Sequence, residues 1–153
     1  METLERILRE HPFFADMAED YIHLLAECAS NVRFNRGDTI FQRGQDANTF
    51  YLIRAGRVAI EIYDPSRGRM VLQTLREGDI VGWSWLVPPY KWRFDARALE
   101  LTRAVALDGA CLRSKCEQDH DLGYLVMKRF VQTISRRLEG VRLQVADIYG
   151  PGK

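Results

Sequence analysis

The chain has 153 residues, 46% of them hydrophobic and 28% charged, enough to bury one sizeable core and too few for two ordinary domains. Its 22 lysines and arginines nearly cancel 21 aspartates and glutamates, leaving a net charge of +1 and no basic field to attract nucleic acid. No stretch approaches the ~20 uninterrupted apolar residues of a membrane-spanning helix, and Met1 to Arg6 lack the basic region and apolar run of a secretory signal, so the expectation is a cytoplasmic protein without membrane contact or direct DNA binding.

Residues 1–30 read as N-terminal helices. Leu4, Ile7 and Leu8 fall at helical spacing, His11-Pro12 breaks the pattern, and Tyr21, Ile22, Leu24, Leu25 and Cys28 resume it. Over residues 31–109 the texture changes to short β-branched and aromatic runs, broken by Gly37, Gly44, Gly56, Gly68, Gly78 and Gly82. Many short strands between glycines are the mark of a barrel or sandwich. The clearest runs are Thr49–Arg54, Val58–Tyr63 and Met70–Leu75, separated by Ala55-Gly56-Arg57 and by Asp64-Pro65-Ser66-Arg67-Gly68. Both connections favour antiparallel hairpins. Arg67, Arg69 and Arg76 lie among acidic neighbours and read as a solvated surface.

Residues 110–149 return to helix. Leu122, Val126, Phe130, Ile134, Leu138, Val141 and Val145 recur every three to four residues, with Asp119 or Asp121 as the cap and Gly150-Pro151 as the stop. Such a helix is ~40 Å long at ~1.5 Å per residue, longer than a small barrel is wide. A homodimer through this stripe is therefore expected, against the plainer reading that the stripe packs on its own barrel.

Cys28, Cys111 and Cys116 are an odd number in a chain without a secretory signal, so reduced thiols are expected. Cys111 and Cys116 are five apart on predicted helix, and His11, His23 and His120 adjoin no Cys-x-x-Cys pair, which argues against a zinc site. Residues 31–109 contain no histidine, the main ligand a metal-dependent barrel enzyme would use. A Gly-x-Ser-x-Gly elbow and a Gly-x-x-x-x-Gly-Lys loop are both missing. The chain is read as non-enzymatic, with no metal.

Three segments carry a resemblance. Phe34 to Asp46 (Phe-Asn-Arg-Gly-Asp-Thr-Ile-Phe-Gln-Arg-Gly-Gln-Asp), Phe50 to Val58 and Leu75 to Gly82 (Leu-Arg-Glu-Gly-Asp-Ile-Val-Gly) resemble the cyclic nucleotide-binding domains, over about residues 10 to 145. The resemblance implies a mainly β fold with flanking α: a double-stranded β-helix (jelly-roll) barrel with N-terminal helices and a long C-terminal helix, one domain across residues 1–153. That helix corresponds to the dimer helix of regulators of the catabolite activator protein type.

The resemblance also implies a phosphate-binding cassette after Gly82. A cyclic phosphate is a monoanion and calls for backbone N–H groups at the start of a short helix together with a cationic side chain. Gly82 and Arg93 match the family pattern, whereas Trp83 stands where binding members have a ribose-holding glutamate and Phe94 where they have a small hydroxyl residue. Shifting the alignment by one residue makes Arg97 a second cationic candidate. All three tryptophans, Trp83, Trp85 and Trp92, lie in this segment, either as a stacking wall for a flat ligand or as a filling of the pocket from within. The implied ligand-binding set is Gly82, Trp83, Ser84, Trp85, Trp92, Arg93 and Phe94, with cAMP or cGMP as the ligand. The plainer reading pairs Arg93 with Asp95 or Glu77 at the surface.

Two functions follow. One is a small-ligand-sensing regulatory domain with a divergent cassette, binding a small anion and signalling to an effector protein. The alternative is a ligand-free interaction and dimerisation module with a tryptophan-filled pocket. A transcription factor would carry a helix-turn-helix after the long helix, where this sequence has only Tyr149-Gly150-Pro151-Gly152-Lys153.

Overall fold

A computed structural model describes residues 3–149, with side chains to residue 138. Helix α1 (Leu4–Glu10) begins at Thr3, whose hydroxyl accepts a hydrogen bond from the Arg6 amide at 3.2 Å. It ends at His11, where Pro12 follows and opens a single 3-10 turn, Pro12–Phe14. His11 is 7% exposed, and its Nδ1 accepts from the Phe13 amide at 3.2 Å. Helix α2 (Glu19–Ala26) buries Ile22 and Leu25.

Eight strands follow: β1 (Ala29–Phe34), β2 (Thr39–Phe41), β3 (Thr49–Ala55), β4 (Arg57–Asp64), β5 (Gly68–Arg76), β6 (Ile80–Val81), β7 (Asp95–Ala98) and β8 (Thr102–Asp108). They form two antiparallel four-stranded sheets, ordered β1-β8-β3-β6 and β2-β7-β4-β5. The fold class is the expected jelly roll, but the sheets keep separate edges and do not close into a barrel. Their shared core joins Ile53 and Val81 of one sheet to Phe41, Val58, Leu75 and Ala96 of the other.

The two predicted hairpins have different outcomes. β4 and β5 pair from Arg57↔Arg76 to Asp64↔Gly68. Their turn is set by Asp64, whose Oδ1 accepts from the Ser66 amide and hydroxyl at 2.8 Å, and by Gly68 at φ +77°. Ala55-Gly56-Arg57, in contrast, is no hairpin. β3 pairs with β8 and β6, and the chain crosses to the other sheet at Gly56. There φ is +102°, and a Cβ would lie 2.6 Å from the Leu101 carbonyl oxygen and 2.5 Å from Thr102 Oγ1. Only glycine makes this corner, because both the left-handed φ and the lack of space exclude a side chain.

The expectation of reduced thiols is also corrected. Cys28 and Cys111 form a disulfide with Cα atoms 5.7 Å apart, and Cys116 is free. The register explains the pairing. Ala29↔Leu107 places the start of β1 beside the end of β8, and the Asp108 amide donates to the Cys28 carbonyl at 2.9 Å. The residue before β1 thus meets the first turn of helix α3 (Gly109–Gln118). Counting cysteines carried no information about which strands are neighbours.

The chain divides into two compact units, residues 1–115 and 116–153. In the second, helix α4 (His120–Tyr149) is capped by Asp119, whose Oδ1 accepts from the Asp121 and Leu122 amides at 3.1 Å. Its predicted stripe is buried at the start, half-buried at Ile134 and exposed at Leu138, and a second apolar set outside that stripe is exposed. Leu122, Val126 and Phe130 are buried, whereas Tyr124, Met127, Val131 and Leu138 are exposed. Val141 and Val145 lie outside the described side chains. Among the described residues no helix is long and apolar enough to cross a membrane.

Candidate functional site

The candidate site occupies the connection from β6 to β7. After Val81 the chain turns at Gly82 (φ +94°), forms one 3-10 turn over Ser84–Leu86, passes a cis Pro88–Pro89 bond and a left-handed Tyr90 (φ +57°), and enters β7 at Asp95. Neighbouring backbone fixes its descending arm. The Ala47 amide donates to the Tyr90 carbonyl at 2.7 Å, the Trp92 amide to that of Gln45 at 2.9 Å, and the Gly44 amide to that of Trp92 at 2.8 Å. Lys91 pairs with Asp46.

The predicted site residues fall into two groups. Trp85 is fully buried and stacks on Phe50, with ring centroids 5.1 Å apart. Trp92, 6% exposed, stacks on Phe41 at 3.7 Å with the planes 6° apart, inside the core shared by the sheets. Its six-membered ring lies over Gly82, where a Cβ would come within 2.5 Å of it. These two indoles therefore fill the interior. Trp83 and Ser84 are half-buried, while Arg93 and Phe94 are exposed.

Arg93 pairs with neither Asp95 nor Glu77, and among the described residues no ion-pair partner lies within reach of it. Asp95 is turned the other way, accepting from the Arg43 amide at 2.7 Å. Arg97, the second cationic candidate, is occupied. It grips Glu61 on β4 through two hydrogen bonds of 3.2 and 2.8 Å, and Arg69 approaches the same carboxylate at 3.3 Å. These guanidinium groups, Arg97 first, hold the Glu61 carboxyl below its usual pKa against the opposing effect of burial. The Glu61 side chain is 1% exposed, covered largely by charged groups that are themselves open to water.

One residue central to the cassette has no signature in the sequence. Arg113, on α3, donates through Nη1 to the Trp85 carbonyl, and its guanidinium lies 4.6 Å from the centre of the Tyr90 ring. At Gly109 on the same helix a Cβ would lie 3.0 Å from the Trp85 Cβ and from the Asn48 carbonyl oxygen, to which the Gly109 amide donates at 2.7 Å. The 3-10 turn is thus tied directly to α3. A separate cavity of about 370 Å³ opens at α1 and α2, lined by Thr3, Leu4, Glu5, His23, Ala26 and Glu27. It lies among residues remote in sequence from the cassette, and its Glu5 and His23 pair with each other at 2.6 Å.

Comparison with known proteins bears on this geometry. A CRP-like cAMP-activated global transcriptional regulator of Mycobacterium tuberculosis is 24% identical over 145 residues, 95% of this chain and 63% of that protein. A candidate potassium channel protein of Rhodopseudomonas palustris is 25% identical over 140 residues, 91% of this chain and 32% of that one. The chain thus spans between about a third and three fifths of these relatives. A crystal structure of a candidate cyclic nucleotide-binding protein from Geobacter metallireducens GS-15 superimposes with a TM-score of 0.79 at 28% identity, covering 90% of this chain and 99% of that one. The family model for the cyclic nucleotide-binding domain matches residues 31–119. That span runs from β1 through α3 and takes in the whole cassette, Gly82 and Arg93 included, and so the chain belongs to the cyclic nucleotide-binding domain family.

Proposed function

We propose that the chain is a small-ligand-sensing regulatory domain whose ligand is an anion held at Gly82, Trp83, Ser84, Arg93 and Phe94, with Trp85 and Trp92 as the buried floor beneath. The observation that carries this reading is the exposed guanidinium of Arg93, without an ion-pair partner among the described residues while Arg97 is paired. A cation left open in the cassette of a nucleotide-binding family suits a charge-assisted contact with phosphate. The ligands to test first are cAMP and cGMP. Trp83 accepts no hydrogen bond, so the contact that a glutamate makes to a ribose hydroxyl is lost; a hydrogen bond to a charged group is worth about 1.5–3 kcal/mol, roughly tenfold to a few hundredfold in affinity.

The signal leaves through α3. Arg113 joins it to Trp85 and Tyr90, so a ligand that binds two cassette positions unequally shifts α3 by that difference in affinity. The output is regulatory, passed in the cytoplasm to an effector protein. A second copy of the chain covers α4, and the seam is not the stripe headed by Leu122. The exposed set Tyr124, Met127, Val131 and Leu138 repeats at intervals of three, four and seven, the spacing of a two-helix seam.

A second reading rests on the Trp92–Phe41 stack, which fills the space between the sheets and suits a ligand-free interaction module. Thermal unfolding with cAMP, cGMP and acyclic nucleotides, with mass spectrometry of co-purified small molecules, separates the two. A ligand at 100 times its dissociation constant adds about 2.7 kcal/mol to the folded state. The sensor reading expects such a shift, abolished in Arg93→Ala without loss of folding. No shift and nothing co-purified would leave the interaction module standing.

A further inference from the structure

The Cys28–Cys111 disulfide joins the end of α2 to the start of α3. Cys28 follows α2 and precedes β1, and Cys111 lies in the first turn of α3. Lys115 also pairs with Glu27 at 2.6 Å, with the lysine side chain 17% and the glutamate side chain 53% exposed. An ion pair with its carboxylate open to water contributes modestly by itself. The disulfide is the covalent tie between the end of α2 and the first turn of α3. Between Cys111 and Lys115 lies Arg113, which holds the cassette turn. Freedom at this point of α3 is freedom for the cassette as well.

The bond is also dispensable to the sheets. β1 and β8 pair through six residue positions, Ala29↔Leu107 to Phe34↔Thr102, and β3 pairs with β8 along its other edge. Cutting the disulfide removes none of these hydrogen bonds. Of the two cysteines, Cys28 is buried and Cys111 is partly exposed, which makes Cys111 the more accessible end of the bond.

We propose that Cys28–Cys111 is a redox-modification site, opened by a dithiol reductant, that sets whether the first turn of α3 is covalently fastened to the residues that follow α2. In the opening step a reductant thiolate bonds to Sγ of Cys111. The sulfur–sulfur bond breaks, and Cys28 leaves as a thiolate and takes up a proton. The second thiol of the reductant then displaces Cys111 and closes its own disulfide. Two electrons and two protons pass to the chain, giving two cysteine thiols and one oxidised reductant. Cys116 is a bystander, since burial raises its thiol pKa and keeps it protonated.

The test uses the full chain without any ligand, so its result is independent of the sensor reading. The protein is equilibrated in mixtures of oxidised and reduced dithiothreitol, quenched, alkylated with iodoacetamide in denaturant and weighed intact, while hydrogen exchange is followed on the folded chain in peptides covering 19–28, 49–55 and 102–118. The expected result is a transition from one alkylated cysteine to three. Across it the amides of α3 should exchange at least ~tenfold faster while β3 and β8 keep their protection. Cys111→Ser should behave as the reduced chain; because the reduced wild type is itself measured, the test survives a variant that misfolds. The proposal is overturned if the pair never forms in any mixture. It is equally overturned if α3 exchanges alike in both states, or if β8 loses protection together with α3, which would make the bond a structural staple.

Discussion

Replacing His11 by asparagine should remove an acid sensitivity built into the N-terminal segment. His11 lies buried between α1 and the 3-10 turn, with its Nε2 in no hydrogen bond among the described residues. Burial lowers its pKa from 6.5 to about 4, and the nearby Ile53 carbonyl and Asp79 only partly oppose the shift. The folded pKa is the lower one, so this contribution is fully present above the unfolded value and is lost as the pH falls. Below pH 6.5 the unfolded chain takes up a proton that the folded chain refuses. Between pH 7 and pH 5 this amounts to about 2 kcal/mol, approaching a limit of about 3 kcal/mol below the folded pKa. For a chain of this size the melting temperature should fall by roughly 4–8 °C over that interval.

Asparagine can accept the Phe13 amide through its own side-chain oxygen and does not titrate. Any packing lost in His11→Asn lowers stability equally at every pH, and that offset is constant. His23, whose pKa is raised by Glu5, contributes the opposite slope and is common to both proteins, so it cancels in the difference. Thermal melts of both proteins at pH 7, 6 and 5 measure that difference directly. Parallel pH profiles would refute the assignment of a buried neutral imidazole.

Two other perturbations test separate parts of the structure. Arg97→Ala should cost about 2 kcal/mol in urea unfolding, below the 3–5 kcal/mol of a fully enclosed pair because Arg69 remains on Glu61 and water reaches the site; adding Glu61→Gln should recover part of the loss. Val131→Glu places a charge in the exposed seam of α4, and sedimentation velocity should show a dimer become a monomer without change in the melting of the sheets; an unaltered sedimentation coefficient would exclude this seam.

What was legible in the sequence was whatever local chemistry decides. The Asp64-to-Gly68 turn, the break at Pro12 and the Asp119 cap are each fixed by residues within a few positions, and each is found where expected. Gly56 shows the limit. A glycine at left-handed φ serves a hairpin or a corner equally well, and only the Leu101–Thr102 backbone packed against it makes it a corner. Cys28 and Cys111 are 83 residues apart, joined by a register no local pattern encodes. On α4, a hydrophobic residue at every third or fourth position does not reveal which of two stripes is covered. In the cassette, Gly82 and Arg93 were readable as a motif, while Arg113 comes from a helix after β8 and has no motif of its own.

The indole of Trp92 has a consequence for any flat ligand entering between the sheets. Indole and purine are bicycles of similar size, and the chain carries one covalently, stacked on Phe41. A free base seeking that place faces a tethered competitor, whose effective concentration for a short connection is on the order of millimolar. Where the indole's own intrinsic affinity for that place is micromolar, the free base is weakened by about a thousandfold. Occupancy of the interior is thus a contest between a solute and the protein's own side chain, whereas an anion held at Arg93 from outside escapes that contest.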